Sequence, residues 1–352
     1  MSALHHLLIG PPEHGVVRYA ELLLAAAEVP DAQVLRLPRL VGADDLAMVL
    51  DSLAAMEVDI PARVHLHLTD HLLGRSPEEA LQVVRLLARR GPVSLTLHDL
   101  PQPSDGTPAA RRRDCYAGLA EAAVGVVVSS HHEAALLRDV TGTAAPRTPI
   151  RVVPLAVPVP VPVDPALGSP EGSEVEGSEV GRQVAVLGWV YPGKGHAEVL
   201  AALDGLPADV GLRVLGGASP GHDDLLVDLA ADAHARGRAL QVDGWVPDDA
   251  LPALLRRVAV PVFAPRHVSA SASLTSWLSA GRRPVTVRSA YTEEVDRRSP
   301  GALLLVDDEP GALAQGIRCA LADPDLTRLG AAVATGPAPA EAARLSFEGW
   351  DS

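Results

Sequence analysis

The chain has 352 residues, length for about two domains of ordinary size. Thirty basic residues against 44 acidic ones leave a formal charge of −14, which argues against a surface built to wrap nucleic acid. With 47% hydrophobic and 21% charged residues the balance is globular, and no apolar run approaches the ~18 residues that would span a bilayer. Only 3% of the residues are aromatic, so the expected cores are aliphatic.

Residues 1–10 lack a positive region ahead of their apolar stretch and read as a first strand, not as a signal peptide. Further strands are expected at 33–37, 63–69, 93–98, 124–129 and 150–154. Amphipathic helices fall between or after them at 16–27, 44–55, 77–89, 109–122 and 131–140. Near-continuous apolar strands alternating with helices predict a parallel sheet covered on both faces. Residues 157–182 then carry a VPVPVPV run, which favours stiff polyproline II, and a Gly/Ser/Glu part with a repeated EGSEV, which cannot bury apolar area; they read as a linker or a loop at a domain boundary. The alternation restarts with strands at 183–189, 211–215, 240–243, 258–264, 283–287 and 302–306. Its helices are expected at 196–203, 223–235, 248–256, 273–280, 291–297 and 311–321. The expected organisation is an N-terminal Rossmann-like domain at 1–156, the linker, and a second such domain at 183–330. The tail, 331–352, is expected to pack back on the first domain. The fold class is α/β, two tandem doubly wound domains facing a cleft. Cys115 and Cys319 lie far apart without metal spacing and are expected to be reduced, in a cytoplasmic protein.

Of the 30 basic residues one is lysine, Lys194, and it sits in VAVLGWVYPGKGHAEVL, residues 184–200. An apolar strand runs into Gly188, then into a loop with Pro192, Gly193, Lys194 and Gly195, then into a helix. Glycines admit a ligand close to the backbone, a helix start offers free N–H groups, and lysine adds a full charge with three donors. That combination points to a diphosphate site, although the P-loop pattern is absent. A plain strand-to-helix turn with a solvated lysine is the competing explanation.

LGWVYPGKGHAEVL resembles the donor-site strand, loop and helix of family 4 retaining glycosyltransferases, enzymes of the GT-B fold. Other segments resemble the family in order: HGVVRYAELLLAAA, VSLTLHDLP, VVVSSHHEAALL, IRVVPLAV, LQVDGWVPDDALPALL and the closing strands around RPVTVRSAYTEEV. The resemblance implies that Lys194 contacts the diphosphate of a nucleotide-sugar, UDP- or GDP-linked. It implies that Gly15 gives backbone access to the transferred group and that His98 is the active-site histidine. Gly188, Trp189, Gly193, Gly244 and Trp245 join the implied donor site, with Trp189 standing where the family often has arginine. No cofactor is implied beyond the donor substrate.

One departure is marked. The family usually carries a Glu-x7-Glu pair, yet residues 264–285 contain no acidic residue. The second glutamate becomes Ser276, and the first falls near Val268 or Ser269. Ser269, Ser271 and Ser273 instead lead into a helix start, where hydroxyls and N–H groups suit phosphate oxygens; simple capping by Ser273 is the alternative. Arg266, Arg282 and Arg283 flank the run as candidate partners for a diphosphate, or as ordinary surface charges.

His65 and His67 alternate on one strand and share a face, with Asp70 and His71 beyond. Satisfied polar groups fit them better than a metal shell, and no protein-held metal is expected. The Arg111–Arg113 run suits a solvated face, a phosphorylated acceptor or a peripheral contact with an anionic lipid surface. The implied reaction moves a sugar from a nucleotide-sugar to an acceptor hydroxyl on a glycan, small metabolite or lipid-linked molecule, with retention. The alternative is a catalytically impaired accessory or nucleotide-binding protein on the same scaffold. A sugar epimerase ranks third, because the serine run lacks the acidic residues that chemistry wants.

Overall fold

The structure, a computed structural model, describes residues 4–55, 63–102, 106, 108–142, 148–158 and 182–350. Most of the linker read at 157–182 therefore lies outside the described residues. The chain divides into two compact units, Met1–Ala156 with Pro337–Ser352, and Val157–Gly336.

In the first unit the elements in chain order are β1 (His5–Ile9), α1 (Gly15–Ala26), β2 (Val34–Leu37), α2 (Ala43–Ala55), β3 (Val64–Leu68) and α3 (Asp70–Leu73). They continue as α4 (Pro77–Ala88), β4 (Val93–Leu97), α5 (Ala109–Ala122), β5 (Gly125–Val128), α6 (His131–Thr141) and β6 (Ile150–Val152). The six strands form one parallel sheet in the order β2-β1-β3-β4-β5-β6. All five residues of β3 and of β4 are buried, because helices cover both faces. That is why VHLHL and VSLTL read as strands without alternating polarity. Serine caps start two of the helices: Ser76 accepts from Glu79 N at α4, and Ser130 accepts from Glu133 N at α6. The short α3 was not legible in the sequence; four residues cannot show a period.

The second unit contains β7 (Gln183–Leu187), α7 (His196–Ala202), β8 (Gly211–Leu215), α8 (Asp223–Ala235), β9 (Leu240–Val242) and α9 (Leu251–Arg257). It continues with β10 (Val260–Phe263), α10 (Ala272–Ser279), β11 (Val285–Val287), α11 (Ala290–Arg298), β12 (Leu304–Val306) and α12 (Ala312–Ala322). These strands are also parallel, in the order β12-β11-β10-β7-β8-β9. The first strand of the unit thus lies between β8, which follows it, and β10, three strands on. The winding reverses there, and in open α/β sheets the loops beyond the carboxyl ends of such strands hold ligands. Helix α9 starts at Leu251, later than the expected 248, because residues 247–250 form a turn closed by Ala250 N donating to the Pro247 carbonyl.

A last helix, α13 (Pro339–Phe347), belongs to the first unit and had no sequence expectation as a helix. Ala342, Ala343 and Trp350 bury against Leu23, Val127 and Val153. The Trp350 ring lies on Gly125, where an added Cβ would stand 1.8 Å from it, and the Arg151 guanidinium covers the ring at 4.3 Å. Among the described residues no helix is long and apolar enough to cross a membrane.

Candidate functional site

The loop after β7 is shaped by two glycines. Gly188 has φ +115°, a conformation that residues with side chains rarely adopt, and a Cβ there would sit 3.1 Å from Lys194 Cε and 3.2 Å from its Nζ. The lysine side chain therefore lies folded over Gly188. Gly195, with φ +102°, backs onto the Ala264 carbonyl, 2.2 Å from where a Cβ would be. Arg266 N donates to the Gly193 carbonyl at 2.9 Å. These contacts bind the loop after β7 to the loop after β10, at the reversal of the sheet.

Lys194 is only 7% exposed. Its Nζ donates to Ser273 Oγ at 2.9 Å, and Ser273 Oγ is hydrogen-bonded to Ser271 Oγ at 2.9 Å. Ser271 N in turn donates to the Tyr291 hydroxyl at 3.3 Å. The rings of Tyr191 and Phe263 flank the ammonium at 5.8 and 5.9 Å from their centroids. No carboxylate pairs with Lys194 among the described residues. Burial alone pulls its pKa down to about 8. His196, first residue of α7, is buried with both ring nitrogens unpartnered among the described residues. Burial, and then the Lys194 charge, push it to about 3, so it is neutral.

The alternative role of Ser273, simple capping, does not hold. Helix α10 starts at Ala272, and Ser271 is its cap, accepting from Leu274 N at 3.4 Å. Ser273 lies inside the first turn, which leaves its hydroxyl free to take the lysine. Ser269 is buried close by in the chain. Ser276 Oγ donates to the Ala272 carbonyl of its own helix, so the hydroxyl at the second glutamate position is engaged. Arg266 pairs with Glu198 at 2.5 Å. Arg282 and Arg283 are not part of this cluster: Arg282 is buried on carbonyls around the end of α9, and Arg283 Nε donates to the Leu303 carbonyl. Trp189 is 48% exposed, with its ring 3.6 Å from where a Cβ on Gly217 would be. Gly244 and Trp245 follow β9, two strands from β7, and Trp245 is 53% exposed. The structure thus gathers Gly188, Gly193, Lys194, Ser271 and Ser273, and adds Tyr191, His196 and Tyr291, which the sequence had not marked.

In the first unit His98 follows β4. Its N donates to the Leu68 carbonyl at 2.9 Å and its carbonyl accepts from the Tyr116 hydroxyl at 2.8 Å. The next residue, Asp99, has φ +53° and is fixed by Arg112, which also holds the buried Asp70 at 3.1 Å. Burial, with His14 adding to it, lowers the His98 imidazole to about 4. Gly15 begins α1 after the His14 cap, and an added Cβ there would meet nothing within 4 Å. Among the described residues no cluster of His, Cys, Asp and Glu could hold a metal ion.

No protein-family model matches the chain, and no curated protein sequence matches it. Solved structures do. HepE of Anabaena, solved with UDP and glucose, superposes with a TM-score of 0.66 at 16% identity, over 99% of this chain and 96% of that one. Sucrose-phosphate synthase of Thermosynechococcus elongatus gives 0.71 at 16% identity, over 99% and 95%. A trehalose-phosphate synthase of Burkholderia xenovorans, solved with glucose-6-phosphate, gives 0.62 at 13% identity, over 92% and 93%. These neighbours have the GT-B fold, and the chain shares it: two parallel six-stranded sheets with interleaved helices.

Proposed function

We propose that the chain is a glycosyltransferase that takes a sugar from a nucleotide-sugar and passes it, with retention, to an acceptor hydroxyl. The observation that carries this is the buried amine of Lys194, which no carboxylate pairs among the described residues, laid over Gly188 at the reversal of the second sheet. A buried cation without a counter-charge is costly, and an anion supplies what is missing. The neighbours solved with UDP support a nucleoside diphosphate as that anion.

In the reaction the bond from the anomeric carbon to the phosphate oxygen breaks and one to the acceptor oxygen forms. The acceptor's proton leaves on the departing diphosphate. Charge on that leaving group grows toward the transition state, so Lys194 and the N–H groups at the start of α10 stabilise it more than the substrate. His98 orients the sugar and its acceptor. A second reading is favoured by one observation: Ser276 spends its hydroxyl on its own helix, leaving no acidic ligand for sugar or ribose at that position. On that reading the chain binds the nucleotide without turning it over. Incubation with a panel of UDP- and GDP-sugars separates the two. Release of the nucleoside diphosphate supports the transferase; tight nucleotide binding without release from any donor overturns it.

The site also sets a pH dependence. An anion favours the protonated amine, so binding takes up a proton and affinity for UDP falls as pH rises past about 8. The expected loss is about tenfold per pH unit above that value, read by calorimetry in buffers of different ionisation enthalpy. The sign for folding is opposite. The amine's value in the folded chain lies below its ordinary 10.5, so ligand-free stability rises as pH climbs from about 8 toward 10.5. An affinity flat between pH 7 and 10 would detach Lys194 from the anion.

A further inference from the structure

A row of imidazoles crosses the first unit, and of its four rings only His98 has a role in the proposed function. His6 on β1, His65 and His67 on β3, and His98 beyond β4 follow one another with ring centroids 5.8, 5.1 and 5.6 Å apart. Phe347 at the end of α13 packs edge-on against the first of them at 4.4 Å. His65 is fully engaged, with Nδ1 on Ser94 Oγ and Nε2 on Thr96 Oγ1, both at 2.9 Å. His67, 5% exposed, places Nδ1 3.3 Å from Nε2 of His98, and the two rings stack at 25°. Its other nitrogen, Nε2, is buried with no partner among the described residues. Nδ1 of His98 makes no hydrogen bond to the protein among those residues.

The unpartnered nitrogen decides where the protons sit. Burial keeps both rings neutral, His67 well below its ordinary value and His98 near 4. A neutral imidazole has one N–H. If His67 carried it on Nε2, a buried donor would have no acceptor, the expensive kind of orphan; a bare nitrogen there leaves only an unfilled lone pair. The proton of His67 therefore sits on Nδ1 and is donated to Nε2 of His98. With Nε2 accepting, His98 carries its own proton on Nδ1.

We propose that His67 is a positioning residue that fixes His98 in the Nδ1–H tautomer, so that His98 meets its ligand as a hydrogen-bond donor and not as a base. What the donor touches rests on the transferase reading, where the partner is an oxygen of the sugar or acceptor. The tautomer itself does not rest on it. With Nε2 occupied, His98 has no free lone pair for the acceptor's proton, which agrees with that proton leaving on the diphosphate.

Nitrogen NMR of the full chain labelled in histidine reads this directly, without substrate. The expected result is a single neutral His98 with its proton on Nδ1. His67→Phe keeps a ring but removes the donor, and should move the His98 proton mainly to Nε2. His67→Asn keeps an N–H donor near the place of Nδ1 and should restore the original tautomer, which also guards against misfolding of the Phe variant. A wild-type His98 protonated on Nε2, or a tautomer indifferent to His67→Phe, overturns the proposal. In turnover assays kcat should fall about tenfold in His67→Phe and recover in His67→Asn, with KM for the donor little changed. A switched tautomer with unchanged kcat would remove the claimed role of Nδ1. Absence of turnover in the wild type would sink the transferase reading and leave the tautomer result standing.

Discussion

Lys194→Met should abolish most nucleotide binding while leaving the chain folded and slightly more stable. The lysine contributes a charge-assisted contact to a diphosphate, and removing such a contact in a buried place weakens affinity by about a hundredfold or more. The stability change has the opposite sign. The ammonium is buried over Gly188, and among the described residues it has one neutral hydrogen bond, to Ser273 Oγ, and no carboxylate. Burial pulls its pKa from 10.5 down to about 8, the direction expected when desolvation disfavours the charged form. Methionine fills similar space without that penalty. A residue that lowers stability while serving a ligand is the expected pattern at a functional site. Calorimetry with UDP and GDP and a urea melt of the same variant test both halves. Unaltered affinity would leave the proposed diphosphate site without its cation. A loss of both affinity and stability would make Lys194 a structural residue.

Lys194 was legible because it is the chain's single lysine and stands between two glycines after an apolar strand. Its partner was not. Ser273 is 79 residues away in sequence, and only the meeting of the loops after β7 and β10 brings them together. The cap position is ambiguous in the sequence for a local reason: Ser269, Ser271 and Ser273 are equally good capping residues two apart, and sequence does not choose the helix's first residue among them. Parallel strands buried on both faces left unbroken apolar runs, so β7 and β10 were plain. The tail helix was not, because its anchor is the Trp350 ring seated on Gly125, a contact between residues more than 200 apart in the chain. Arginines gave the least information. A guanidinium looks the same in sequence whether it faces a phosphate, a carboxylate or a cluster of carbonyls.

Arg282 shows what that ambiguity hides. Next to the serine run it suggested a phosphate ligand, yet its expected deletion phenotype is loss of stability with nucleotide affinity retained. The side chain is 7% exposed and holds the second unit from inside. Nη1 donates to the carbonyls of Leu255, Arg256 and Val258 at 3.0, 2.8 and 2.6 Å, where α9 ends and its last carbonyls lack helical partners. Nη2 donates to the Ala259 carbonyl and to Thr327 Oγ1, and Nε to the Thr327 carbonyl. The positive charge also sits at the negative end of the helix dipole. Burial, with Arg328 nearby, lowers its pKa to about 10, still charged at neutral pH, so the carbonyls must carry the compensation. Arg282→Ala strands several buried acceptors at once and should cost about 3–5 kcal/mol. Arg282→Lys keeps the charge but not the planar fork, and should recover only part of that. Urea unfolding followed by fluorescence of the fully buried Trp277 reports on this unit. Near-native stability in Arg282→Ala together with lost UDP affinity would return this residue to the ligand and reverse the assignment.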